Sequence, residues 1–209
     1  MNGRGKCGAF FMSILILRTA LPAQSLYRPY HLERGSRIWI DGTATIGSYE
    51  CGNVAVTGAG VLDTNRAEMK IPGRRENSPR EDARVTILVR YFDCGNPAMN
   101  DDMYAALKAR QDSTIRYELI RAEELTGAVT DTAGVTIRTI GSLTIAGVTR
   151  IDTIPASVRP FREGKFEITG RKDLSMIDYH VVPPTAFFGL IRAKEHLVVH
   201  FDLIAAPDR

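Results

Sequence analysis

Motifs for metal binding and for nucleophilic catalysis are missing from this sequence of 209 residues. Its three cysteines contain no C-x-x-C pair, which argues against a zinc site or a thioredoxin-like site. No G-x-S-x-G element is present, the turn that exposes the serine nucleophile of α/β-hydrolases. An internal repeat and a low-complexity tract are also absent, which argues against a repeat architecture.

The hydrophobic run near the N terminus is too short to span a bilayer. It covers the eleven uncharged residues Cys7–Leu17, whereas a spanning helix needs about 20 residues. A basic start with Arg4 and Lys6 precedes the run, and small residues follow it. This order is typical of a Sec signal peptide, so we expect residues 1–25 to be removed by cleavage near Ser25. The alternative is a buried or frayed N-terminal helix.

The predicted mature chain, residues 26–209, carries no net charge. The sequence has 27 Lys and Arg residues and 24 Asp and Glu residues, and the first 25 residues hold three of the bases and no acid. Without a surplus of basic charge, we expect no nucleic-acid partner. Hydrophobic residues make up 44% of the sequence, which is enough for one domain with a proper core.

Strict alternation of apolar and polar residues dominates the mature chain. Residues 85–91 and 197–203 both place apolar side chains on one face, and they are rich in β-branched and aromatic residues. Turn signals such as Gly147 and Gly164 separate these runs, which favours consecutive antiparallel hairpins over a parallel α/β fold. About eight strands are predicted, and the pattern alone allows a closed barrel or a two-sheet sandwich.

One helix and two loops interrupt the strands. Asn100 is a suitable N-cap and the next residues are acidic, so we expect a short helix over Asn100–Arg110. The charged segment Asn65–Arg84 and the small-residue segment Thr126–Ala133 are predicted to be exposed loops.

Two cysteines, Cys51 and Cys94, remain in the mature chain. An even pair in an exported protein suggests one disulfide, which would close a loop of 43 residues. Such a cross-link is worth roughly 3–4 kcal/mol in the chain-entropy model. Two separate buried thiols are the alternative.

Three segments resemble motifs of the YceI-like family, in its exported branch with a cysteine pair. Gly141–Thr149 is similar to the G-x-L-T-I-x-G-V-T hairpin, and Met176–Pro184 with Gly189 is similar to a strand ending in D-[FY]-x-[IV]-x-P-P. Asp93–Leu107 is similar to a C-G-N-x-x-M segment. Tyr49 departs from the pattern, because tryptophan is common at that position, and His180 stands where a small or apolar residue is frequent.

The resemblance implies an eight-stranded antiparallel lipocalin-like barrel with a long tunnel that binds polyisoprenoids, quinone tails or acyl lipids. It brings no catalytic residue, cofactor or metal, and it implies a periplasmic or secreted carrier without a membrane span; a homodimer is a further possibility. The candidate tunnel or rim residues are Ile115, Tyr117, Leu143, Ile145, Met176, Tyr179, His180, Phe187, Phe188 and Leu190. The same side chains would also form the core of a solid barrel, which would make the protein an interaction module.

Two groups of polar residues are of the types found in catalytic or metal sites, but their spacing on a strand argues against both kinds of site. Ser175 faces away from Asp178 and His180 on a strand, so these residues cannot form a local triad. His196 and His200 would lie about 13 Å apart on a strand, too far to share a metal. An enzyme acting on isoprenoid lipids is therefore the least favoured hypothesis, with Tyr179 and His180 as its only candidates.

Overall fold

The computed structural model describes residues 27–63, 83–126 and 134–208. The predicted signal peptide, residues 65–82 of the first predicted loop and residues 127–133 of the second lie outside the described residues. The described part forms eleven strands and one α-helix. Their bounds are β1 Tyr27–Leu32, β2 Arg37–Ala44, β3 Ser48–Asn53, β4 Val56–Asp63, β5 Ala83–Leu88, α1 Pro97–Ala106, β6 Thr114–Thr126, β7 Val135–Ile145, β8 Val148–Pro160, β9 Phe166–Ser175, β10 Thr185–Ala186 and β11 Ile191–Pro207.

All strand pairings are antiparallel, and the sheet closes on itself. The order is β1-β4-β5-β6-β7-β8-β9-β11, and β11 pairs back to β1 through Leu32 and Ala205. Strand β2 pairs with β11 and with β3. The segments β1 and β2 therefore form one interrupted strand of the barrel, and β3 and β4 form a second interrupted strand. The result is a closed eight-stranded barrel. The predicted lipocalin-like barrel is confirmed, and the sandwich is excluded.

Alternation along the strands sorts side chains between the interior and the surface. In β9, Phe166, Ile168 and Leu174 face the interior, while Arg171 and Asp173 are exposed. In β7, Leu143 and Ile145 are buried. In the predicted run 197–203, the side chains of Leu197, Val199, Phe201 and Leu203 face the interior. In the predicted run 85–91 the strand stops at Leu88 and a 3-10 turn follows, so Val85 and Ile87 line the cavity whereas Tyr91 is exposed.

The helix α1 lies at one end of the barrel, which we call the helix end. The β2–β3 turn, the end of β9 and the β10–β11 turn lie at the same end, as the antiparallel order requires. The helix begins at Pro97, three residues before the predicted start, and ends at Ala106. Asn96 is the true N-cap and accepts from the Ala98 and Met99 amides, because an Asn-Pro pair fits the N-cap and first helical positions. Asn100 instead accepts from the Cys94 amide at 2.7 Å.

A disulfide joins Cys51 to Cys94, as predicted. It connects the inward face of β3 to the segment that leads into α1. Next to it, the amides and carbonyls of Gly52 and Asp93 exchange two hydrogen bonds of 2.9 and 2.8 Å. The start of the helix is therefore attached to the wall by a covalent bond and by backbone pairing.

The end of β9 differs from the predicted strand. The strand stops at Ser175, and Met176–Tyr179 form a 3-10 turn that ends at His180 in the left-handed region, with φ of 53°. The turn places Met176 and Tyr179 in the interior and leaves Ile177 and Asp178 outside. Alternation of period two does not apply in a 3-10 turn, which has three residues per turn, so the strand-based prediction misplaced this segment.

Candidate ligand cavity

The barrel encloses a cavity of about 880 Å³. Apolar side chains from the wall and from α1 make up most of its lining. Met103 and Ile191 lie at the helix end, whereas Val61 and Phe166 lie towards the opposite end. A volume of this size falls in the range of small-molecule sites. The barrel is therefore hollow, which the sequence left undecided.

The cavity is elongated along the strands. Phe166 and Leu174 of β9 both line it, and they are eight residues apart on one strand. At a rise of about 3.3 Å per residue, this separation is roughly 26 Å. The shape suits an extended chain better than a compact molecule.

Glycines on the inward face make room for aromatic rings that lie against the wall. At each of three glycines an added Cβ would collide with the ring of a neighbouring strand. The pairs are Gly42 with Tyr49, Gly141 with Tyr117, and Gly170 with Phe201. Because all three rings line the cavity, these glycines keep bulky side chains at its edge and leave the centre open.

A charged pair borders the mostly apolar interior. Lys172 is the only basic residue among the described residues that line the cavity. Its ammonium lies 2.5 Å from the Asp152 carboxylate and donates to the Thr153 carbonyl at 3.3 Å. The Tyr179 hydroxyl donates to the other Asp152 oxygen at 3.4 Å. We call Asp152, Lys172 and Tyr179 the interior polar cluster.

The interior polar cluster lies where the wall lacks a backbone ladder. Pairing between β8 and β9 runs from Pro160 and Phe166 to Ala156 and Gly170 and then stops. Beyond that point the Lys172 side chain crosses from β9 to β8. The sequence carries a signal for this site, because Lys172 occupies an inward position in an otherwise apolar alternation.

Burial keeps the tyrosines of the cavity protonated. It raises the pKa of Tyr179, and the negative charge of Asp152 raises this pKa further. Burial also raises the pKa of Tyr117 and of Tyr49. The Tyr117 hydroxyl donates to the Thr139 hydroxyl at 2.8 Å, and Thr139 donates to the Ile154 carbonyl at 2.9 Å. Tyr117 and Tyr179 therefore act as neutral hydrogen-bond donors.

The structure divides the ten candidate tunnel and rim residues into two groups. Six of them line the cavity: Ile115, Tyr117, Leu143, Ile145, Met176 and Tyr179. His180, Phe188 and Leu190 are exposed and are not among the lining residues. The side chain of Phe187 lies outside the described residues. Alternation located the four residues on strands, whereas Met176 and Tyr179 lie in the 3-10 turn and the rim residues lie in turns where no periodicity applies.

The polar groupings considered for catalysis or metal binding are dispersed. No hydrogen bond joins Ser175, Asp178 and His180 within the described part of the chain, and the Ser175 hydroxyl is buried without a partner there. His200 lies on the outer face, stacked on Trp39 at 5.0 Å. His196 contacts Glu195 at 3.0 Å. The described residues contain no group of three metal-ligating side chains.

Comparison with known proteins gives matches in structure but not in sequence. No family model matches the chain, and no curated protein matches it. BcnA from Burkholderia cenocepacia matches with a TM-score of 0.59 at 14% identity, over 84% of this chain and 99% of that one. A polyisoprenoid binding domain from Saccharophagus degradans, implicated in plant cell wall breakdown, matches with a TM-score of 0.62 at 12% identity, over 86% and 98%.

A variant of the Campylobacter jejuni YceI protein also matches, with a TM-score of 0.55 at 16% identity, over 76% of this chain and 84% of that one. The chain has the YceI fold. This YceI-type barrel agrees with the resemblance seen in the sequence. In the described ranges, none of its helices has the length and hydrophobicity needed to cross a membrane.

Proposed function

We propose that this YceI-type barrel is an exported binding protein that holds one long apolar ligand in its cavity, for transport, storage or sequestration. The observation that carries the proposal is the elongated cavity of about 880 Å³ with an apolar lining. The ligand classes that fit are a polyisoprenoid, a quinone tail or a fatty-acyl chain. The name of the Saccharophagus degradans domain, which shares the fold, supports the first of these.

The energetics need no elaborate set of polar contacts. Each buried CH₂ group contributes about 0.8 kcal/mol, so a tail of twenty carbons contributes roughly 16 kcal/mol before the costs of association. Micromolar binding corresponds to about 8 kcal/mol. A long chain can therefore bind through shape and hydrophobicity, and the head group needs to add little affinity.

Export is the second part of the proposal. The first 25 residues have the order of charges and apolar residues of a Sec signal peptide, and the Cys51–Cys94 disulfide suits an oxidising compartment. The protein would then act in the periplasm or outside the cell. Intact mass after expression in a secreting host should show loss of about 25 residues; retention of the full chain would contradict export.

We infer a carrier in preference to an enzyme. His180 is exposed and is not a lining residue, so it cannot act on a chain held inside. The raised pKa of Tyr179 keeps its hydroxyl protonated, which makes it a poor base near neutral pH. His180→Ala should therefore leave ligand binding unchanged, and a ligand that is chemically altered by the wild type but not by this variant would favour the enzyme.

The decisive experiment is organic extraction and mass spectrometry of the folded, signal-cleaved protein. We expect one polyprenyl, quinone or acyl species in a stoichiometric amount. The extract of an unrelated exported protein from the same host serves as the control. A protein that yields no lipid on extraction and does not bind added long-chain lipids would contradict the carrier hypothesis and favour the alternative of an interaction module.

A further inference from the structure

Two opposite charges meet at the edge of a cavity whose lining is mostly apolar. Lys172 lines the cavity from β9, and Asp152 meets its ammonium from β8 at 2.5 Å. Both side chains are largely withdrawn from solvent, with 24% and 20% exposure. Removing a charged pair from water has a large desolvation free energy. A carrier that recognised only an apolar chain would therefore be expected to have apolar residues at these two positions.

One N–H donor of the Lys172 ammonium is not used by the hydrogen bonds of the interior polar cluster. An ammonium has three N–H bonds, and Lys172 uses one towards Asp152 and one towards the Thr153 carbonyl. Asp152 is more fully occupied, since it accepts from Lys172, from the Thr153 amide at 2.7 Å and from Tyr179. Within the described residues, the third N–H of Lys172 has no protein acceptor.

The other hydrogen-bonded chain at the cavity, from Tyr117 through Thr139 to Ile154, does not accept a hydrogen bond from Lys172. Tyr117 donates to Thr139, and Thr139 donates onward to the Ile154 carbonyl. The Thr139 hydroxyl thus already donates and accepts within the wall. Lys172 is consequently the group best placed to recognise a polar atom of a ligand.

We propose that the Lys172–Asp152 pair is a head-group site that selects a neutral hydrogen-bond acceptor, a hydroxyl or a carbonyl, over a carboxylate or an amine. This inference rests on the proposed function, because it assumes that a long apolar chain occupies the cavity. It adds the chemical class of the head group.

Charge balance is the reason for this selectivity. Asp152 already neutralises Lys172, so a ligand carboxylate would enter a poorly solvated site without a free positive charge and close to a second carboxylate. An ammonium would compete with Lys172 for Asp152 and would place two cations together. A hydroxyl or carbonyl accepts the remaining N–H and brings no charge that must be desolvated.

The lining that β9 itself provides lies mainly on one side of Lys172. Only three residues of β9 follow it towards the helix end, whereas Ile168 and Phe166 continue the lining towards the opposite end. From Lys172 to Phe166 the strand extends about 20 Å. A ligand with its head at Lys172 can extend its tail along this stretch, and Met103 and Ile191 continue the lining towards the helix end as well.

The test uses three ligands that share one isoprenoid tail: geranylgeraniol, geranylgeranoic acid and geranylgeranylamine. Delipidated, signal-cleaved protein is titrated with each ligand at neutral pH, and binding is measured by native mass spectrometry and equilibrium dialysis. One charge-assisted hydrogen bond supports a preference of about tenfold or more, so the alcohol should bind at least about tenfold more tightly than the acid or the amine.

The variant Asp152→Asn should reverse the preference between the acid and the alcohol. It leaves Lys172 with an uncompensated positive charge, so the acid should now bind more tightly than the alcohol. Lys194→Met is the matched control, because Lys194 is an exposed lysine of β11 that does not line the cavity; it should bind all three ligands as the wild type does.

The double variant Lys172→Met with Asp152→Leu covers the case in which Asp152→Asn does not fold, since it leaves no buried charge unpaired. It should bind geranylgeraniol several-fold more weakly than the wild type while its affinity for the hydrocarbon phytane is kept. Equal binding of the three head groups by the wild type, or no change in geranylgeraniol binding in the double variant, would overturn the head-group site and leave the carrier intact. Binding of none of the ligands would overturn the carrier, and the head-group site with it.

Discussion

The ring of Tyr117 lies so close to Gly141 that a Cβ on the glycine would come within 2.5 Å of the ring and of the Glu118 carbonyl oxygen. Gly141→Ala should therefore force the ring towards the lumen and cost about 1–3 kcal/mol of unfolding free energy. Urea denaturation measures the loss. Gly52→Ala is the control, because nothing lies within 4 Å of its added Cβ; equal stability of the two variants would contradict the close packing.

Filling the cavity should abolish binding and spare the fold. Ala156 is buried on β8 and lines the cavity, so Ala156→Trp places an indole in the lumen. We expect the amount of co-extracted lipid to fall at least about tenfold, because losing two buried CH₂ groups already costs about 1.6 kcal/mol. Ile151→Trp, at a position on the same strand that is 65% exposed, should keep its lipid. Undiminished lipid in a folded Ala156→Trp protein would place the ligand elsewhere.

Reduction should weaken the barrel by releasing the helix end. The Cys51–Cys94 bond closes a loop of 43 residues, and its loss is worth roughly 3–4 kcal/mol of unfolding free energy. Chemical denaturation with and without dithiothreitol measures this difference. The double variant Cys51→Ala with Cys94→Ala should have the reduced stability under both conditions. A variant that responds to dithiothreitol as the wild type does would show that the effect has another source.

Alkaline pH should destabilise the protein through its buried phenols. The pKa of Tyr179 is raised in the folded state, so above pH ~10, where an unfolded tyrosine ionises, the unfolded state loses a proton that the folded state keeps. The stabilising contribution is complete below that pH and is lost as the pH rises. Tyr179→Phe should show a shallower loss of the urea midpoint between pH 8 and pH 11.

Tyr30, Tyr49 and Tyr117 also have raised pKa values from burial, so part of the alkaline loss should remain in Tyr179→Phe. Tyr91→Phe, at a position that is 60% exposed, is the matched control and should follow the wild type. If Tyr179→Phe loses stability as steeply as the wild type, Tyr179 contributes nothing to the pH dependence.

The wall of the barrel could be predicted from the sequence because period-two patterning reports which face of a strand is buried. Leu143 and Ile145 followed from alternation, and the disulfide followed from two cysteines left in a chain predicted to be exported. The closure of the sheet did not follow, because sandwiches and barrels bury the same alternating residues. Closure depends on the pairing of β1 with β11, between the two ends of the described chain.

The contents of the barrel could not be predicted in the same way. Alternation shows that Tyr117 and Phe201 point inward, but whether they fill the centre depends on Gly141 and Gly170 on neighbouring strands. That relationship is set by register between segments distant in sequence. Asp152 and Lys172 were missed for a related reason, since a charge at an inward position is interpretable only when its partner across the wall is known.

The interruption of the ladder between β8 and β9 gives the wall one stretch whose width is not fixed by the backbone. Past Ala156 and Gly170 the two strands are joined through the Lys172 side chain, whose rotamers can exchange while the paired strands stay folded. Local widening of the barrel at this place therefore breaks side-chain contacts but no backbone hydrogen bond of the β8–β9 ladder.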